Sequence, residues 1–127
     1  MLTRARISAT LAAISGLLLT GMETYINWGQ WQWWPYWLVD YAGAALLLIG
    51  AFQTFSGQDR GVRWLCAGWA FCLGMGWMSL AGNFEAGPDP ERAARVGGHY
   101  LALLAAGLAI ALTGFLTALT ASTSPSD

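Results

Sequence analysis

Residues 64–84 read WLCAGWAFCLGMGWMSLAGNF and contain no Asp, Glu, Lys or Arg. As a helix rising 1.5 Å per residue, such a run crosses the roughly 30 Å hydrocarbon core of a bilayer. A helix of this length on a water-exposed domain would need a charged face, and this one has none. Residues 7–22, 41–58 and 96–126 are equally free of those four residue types. The pattern predicts an all-α integral membrane protein, a four-helix bundle with antiparallel neighbours and helices over about 7–27, 36–55, 62–82 and 98–119.

Composition points the same way. Hydrophobic residues make up 56% of the 127 positions and charged ones 10%, where water-soluble domains carry about a quarter charged. Four spans with short connections leave room for one membrane domain over 1–127, with a polar, flexible tail at 122–127. A net charge of -1 excludes nucleic acid as the expected partner, because phosphate binding needs a clustered basic surplus. All six basic residues are arginine, and Ala and Gly abound, the usage associated with GC-rich bacterial genomes. The first apolar run follows Arg4 and Arg6 as in a secretion signal. No small-x-small cleavage motif precedes Glu23, so a retained anchor helix is expected.

The connections carry the remaining signals. Residues 28–37, WGQWQWWPYW, hold Trp28, Trp31, Trp33, Trp34 and Trp37, five of the eight tryptophans. Aromatic rings with a polar edge collect at the headgroup level, so this loop is expected on the membrane surface. Pro35 suits the first turn of the second helix. Residues 56–63 form a short loop with two arginines, and 83–95 a longer acidic one broken by Pro88 and Pro90, with a helical turn possible at 91–95.

Helices in lipid associate through close backbone approach at small residues, since lipid tails are as apolar as leucine. Each span has such a stripe. Ser8, Ala12, Gly16 and Thr20 recur every fourth position on the first; Asp40, Gly43 and Gly50 share a face of the second. Gly68, Cys72, Gly76, Ser79 and Asn83 line the third, and Ala105, Ala109, Thr113, Thr117 and Ala121 the fourth. Together they predict a compact, left-handed bundle. Cys66 and Cys72 stand about 9 Å apart along one helix, too far for a disulfide, and are expected to be packing residues.

The chemistry-bearing groups are few. Glu23, Asp40 and His99 all fall near helix ends on one membrane face, and with Asn27, Ser79 and Asn83 they could line one polar pocket beneath the Trp-rich loop. An acid inside an apolar segment is costly and rarely faces lipid, which makes Glu23 the sharpest candidate for binding a proton, cation or substrate. The same groups have plain structural readings: Glu23 and Asp40 wetted at headgroup level, Asp40 favouring a helix N-terminus, His99 an ordinary first-turn residue. As a metal set, Glu23, Asp40 and His99 supply suitable ligand types without any supporting spacing. Haem would want two axial ligands from a chain with one histidine, so no cofactor is expected beyond these weak possibilities of divalent metal or haem. No GxSxG and no Cys near His is present, and the Gly74-x-Gly76 pair lies within a span.

These residues favour a non-enzymatic role: a small polytopic inner-membrane protein acting by helix association, as a homo-oligomer or an accessory subunit beside another membrane protein, in contact with lipid. A proton- or cation-coupled transporter using Glu23 is the alternative, and a metal-dependent membrane enzyme the third reading. Orientation follows from the arginines, since positive loops stay cytoplasmic. Arg4, Arg6, Arg60 and Arg63 lie on one side and Arg92 and Arg95 on the other, predicting both termini inside. Alkaline phosphatase fused at Gln30 or Ala86 should be active, and fused at Gln58 or Ser126 inactive; the opposite pattern would invert the topology.

Overall fold

The computed structural model describes residues 3–29, 34–87, 90–91, 94 and 99–122. They form four long helices, α1 (Arg4–Asn27), α2 (Trp34–Phe55), α3 (Gly61–Ala86) and α4 (Tyr100–Ser122), each long and apolar enough to cross a membrane. Trp31, Trp33, Arg92, Arg95, the start of the fourth expected helix at Gly98 and the tail at 123–127 lie outside the described residues. The chain is a multi-pass membrane bundle. Helix α1 packs on α2, α2 on α3, α3 on α4, and α4 returns to α1. Across the diagonals contact is slight between α1 and α3 and absent between α2 and α4 among the described residues.

Local chemistry moves the helix ends from the expected 7, 36, 62–82 and 119. Helix α1 begins three residues early, at Arg4, because the Thr3 hydroxyl accepts the Arg6 N–H at 3.3 Å and caps the helix outside the apolar run. Helix α2 opens at Trp34 with Pro35 in its first turn, where a missing N–H costs nothing. Helix α3 runs past residue 82 to Ala86 and stops at Gly87, whose φ of +76° ends the helical path. Helix α4 continues to Ser122, its final turns carrying side chains folded back onto carbonyls: Thr120 Oγ1 donates to Leu116 O at 2.8 Å and Ser122 Oγ to Leu119 O at 2.7 Å.

Antiparallel neighbours place the start of α1 and the end of α4 on one face, here the terminal face; the opposite one is the distal face. Nearly all full burial lies between mid-membrane and the terminal face. There α1 buries Ser8, Ala9, Ala12 and Gly16, and α2 buries Gly43, Ala44, Leu47, Gly50 and Ala51. Helix α3 buries Gly61, Leu65, Gly68 and Trp69, and α4 buries Ala111, Gly114 and Ala118. Towards the distal face only Ile26 and Asn27 reach that level among the described residues.

Small residues cause this close approach. A β-carbon on Gly50 would come within 2.8 Å of Leu65 N, and one on Gly68 within 3.0 Å of the Leu47 side chain. Gly16 faces Leu48, Gly43 faces Cys72 Sγ, and Gly76 meets Leu108. The stripes on α1, α2 and α3 therefore face neighbouring helices. The stripe on α4 does not: Ala105 and Ala109 are exposed, and the helix turns Ala111, Gly114 and Ala118 inward instead. An alanine-rich helix carries small residues on several faces, and Trp69 selects among them. Its ring fills the space where a Gly114 β-carbon would stand. Trp69 Nε1 donates to Ser8 Oγ at 2.9 Å, and Ser8 Oγ donates to Gly114 O at 2.9 Å, joining three helices in a buried chain.

Gly114→Ala should therefore destabilise the bundle by about 1–3 kcal/mol, the usual cost of overpacking. Gly74→Ala, at a position with nothing within 4 Å, should be neutral or slightly stabilising. Thermal unfolding in a mild detergent distinguishes the two, and equal melting temperatures would contradict the packing described.

Candidate functional site

The polar groups of the distal half are arranged first along their own helices. On α1, Thr20 Oγ1 donates to Gly16 O and Thr24 Oγ1 to Thr20 O, each at 2.8 Å. One turn further on, Asn27 Nδ2 lies 2.9 Å from both the carbonyl and the Oε2 of Glu23. On α3, Asn83 Nδ2 donates to Ser79 O at 2.8 Å. These are i, i+4 contacts, set by helix geometry wherever a short polar side chain follows one turn after its acceptor. In a low-dielectric setting such local bonds satisfy donors that lipid cannot.

Of the six residues expected to share one pocket, the structure pairs Glu23 with Asn27 and Ser79 with Asn83, each pair within one helix. Glu23 is half-buried, and Asn27 is buried with only 2% exposure, so the carboxylate meets an amide held in the protein rather than one free in the headgroups. Asp40 is half-buried on α2 and lies within electrostatic reach of the Cys72 thiol on α3. One turn along, Gly43 packs against the same sulfur. His99 is exposed in the turn before α4, where its carbonyl accepts the Leu103 N–H at 2.9 Å.

The expected metal set is not assembled. Among the described residues no three His, Cys, Asp or Glu side chains are placed to hold an ion, so Glu23, Asp40 and His99 do not form a metal centre. Matching depth along the helices puts these residues near one level, but Glu23 is bound by its own helix, Asp40 lies within electrostatic reach of Cys72 on α3, and His99 sits on the exposed rim.

What joins two helices near the distal face is a pair absent from that list. Thr24 Oγ1 and Tyr41 Oη lie 2.6 Å apart, linking α1 to α2, and the Tyr41 ring packs edge-on against Trp37 with centroids 5.5 Å apart. The usable signal in the sequence is the Thr20-Thr24 step, which continues the α1 small-residue stripe into hydroxyls. Beside this pair α1 borders a groove of about 630 Å³ lined by Thr20, Gly21, Thr24, Tyr25 and Trp28. Trp28 and Trp34, both strongly exposed, stand with Trp37 at the distal ends of α1 and α2, as an interfacial aromatic collar requires. The groove is mostly apolar with an aromatic rim, and one wall carries hydroxyls whose protons are already committed. It suits an uncharged chain or ring more than an ion.

No protein-family model, curated protein or solved structure matches this chain.

The Thr24–Tyr41 bond is a polar tie between α1 and α2. A double-mutant cycle with Thr24→Val and Tyr41→Phe should give a coupling of about 0.6 kcal/mol and no more than about 1.7, the range found for such bonds in membranes. A coupling of zero would mean that the hydroxyls do not meet.

Proposed function

We propose that this chain is a small polytopic protein of a bacterial inner membrane that acts by helix association, as a homo-oligomer or as an accessory subunit of a membrane complex, with both ends in the cytoplasm. The observation that carries this reading is the outward face of α4. Ala102, Ala105, Ala106, Ala109 and Thr113 are all exposed there, on the side away from the bundle, and Gly107 beside them has open space around it.

Lipid alone gives no reason for so many short side chains on a surface, because a leucine packs against acyl chains at least as well. A second helix does give one, since short side chains let two backbones approach and gain dispersion contacts along their length. Bulky residues are exposed on every helix, Ile14, Leu17 and Leu18 on α1, Phe52 on α2, Trp77 and Met78 on α3, and Leu103, Ile110, Leu112 and Leu116 on α4 itself, where they flank the short side chains. The arginine-rich terminal face supports the cytoplasmic assignment of both ends.

Transport through Glu23 and metal-dependent chemistry rank below association. Glu23 already receives the Asn27 amide, and its proposed metal partners stand apart.

Native mass spectrometry of gently extracted membranes tests the proposal. The chain should travel with a second transmembrane chain, like or unlike, and the double variant Ala105→Leu, Ala109→Leu should release it as a single chain without loss of thermal stability. A wild-type protein that leaves the membrane only as single chains would overturn the reading.

A further inference from the structure

The turn between α2 and α3 is held by its own backbone. Gly57 N–H donates to Thr54 O at 3.1 Å and Gln58 N–H to Gln53 O at 2.9 Å, the paired closure of a Schellman motif. Gly57 supplies the left-handed residue that the motif needs, with φ +72°. Gly61 N–H then donates to Gln58 O at 2.9 Å and Trp64 N–H to Arg60 O at 3.2 Å, so the turn passes directly into α3. Gly61 is buried so closely on α2 that a β-carbon there would stand 2.5 Å from both the backbone nitrogen and the hydroxyl of Thr54.

Two cations are mounted on this rigid base. Arg60 and Arg63 are exposed and border an open surface depression of about 530 Å³ that Gly57, Gln58 and Asp59 also line. Neither guanidinium is paired with a carboxylate among the described residues, and Asp59 is likewise unpaired there, so the depression keeps a positive balance. Trp64 follows at once, 37% exposed as a residue, with no partner seen for its indole N–H among the described residues. Just inside the apolar layer, Phe52 and Phe55 are exposed on the last turns of α2.

This arrangement sits where α2 leaves the apolar layer and α3 enters it, the level of lipid phosphates. We propose that the α2–α3 turn binds the headgroup of an anionic phospholipid. The planar guanidinium donors of Arg60 and Arg63 match phosphate oxygens in pairs, and the Trp64 indole adds a donor at the same depth. Phe52 and Phe55 provide an apolar wall for the acyl chains. A zwitterionic headgroup is disfavoured, because its ammonium would lie against a surface that already carries two cations and one acid.

The test uses the full chain in neutral detergent with phosphatidylglycerol or phosphatidylcholine of identical acyl chains, read by lipid retention in native mass spectrometry. Wild type should retain phosphatidylglycerol preferentially. In Arg60→Gln, Arg63→Gln that preference should fall roughly thirtyfold, about fivefold for each basic group near an anionic surface. The variant Arg4→Gln, Arg6→Gln removes the same charge from the same face and should keep the preference. Unchanged melting in lipid-free detergent shows that the altered side chains, all exposed, leave the fold intact. Equal retention of the two lipids by wild type, or equal loss in both double variants, would overturn the proposal. Displacement of the lipid by millimolar inorganic phosphate would make this a free-anion site and overturn it too.

Discussion

The bundle depends on one buried proton chain. Trp69 is the largest side chain wholly buried among the described residues, and in a bilayer its indole N–H must find a partner within the fold. Ser8 of α1 accepts it and donates in turn to the carbonyl of Gly114 on α4. The same carbonyl also takes the Thr117 hydroxyl at 2.9 Å. Three helices are thus held in register by bonds that water is not present to replace. The tryptophan ring can lie there because position 114 has no β-carbon, and around it Ala9, Ala12, Ala111 and Ala118 are all within 4% of complete burial.

This arrangement divides the molecule along the membrane normal. Between mid-membrane and the terminal face, glycine and alanine bring the helices together. Towards the distal face full burial becomes rare among the described residues, with Trp77, Met78 and Phe84 exposed on α3 and a groove beside α1. The division separates rigidity from accessibility. The terminal half fixes the turn that carries Arg60 and Arg63, and the distal half presents the Thr24–Tyr41 link and the groove beside it. Helix α4 belongs to both regimes, locked at Gly114, with Leu108 against Gly76 on one side and Ala102, Ala105, Ala106 and Ala109 exposed on the other.

Charge-free runs made the spans legible, because only a bilayer tolerates helices of that length without a polar face. The stripes on α1, α2 and α3 were legible for a related reason: small residues, glycine among them, repeating at helical spacing on one face have little use except close approach. The α4 stripe misled because alanine marks no single face of a helix that contains so many. The Ser8–Trp69 bond was hidden for a different reason. The two residues are 61 positions apart, and nothing local to either shows that one completes the other.

The polar constellation shows the same limit. Helix rise sets depth, so Glu23, Asp40, Asn27, Ser79, Asn83 and His99 could be placed near one level from the chain alone. Convergence also needs the rotation of each helix about its axis, and rotation is set by which side chains fill the interior. By itself, then, the sequence determined the solvent of this protein, its four crossings and the depth of each polar group, because those follow from hydrophobicity and a fixed rise per residue. Only the tertiary structure decided which faces meet, and hence that Glu23 turns to Asn27 and that α4 turns Ala111 and Ala118 inward but Ala105 and Ala109 outward, because one tryptophan seated on one glycine chooses the rotation.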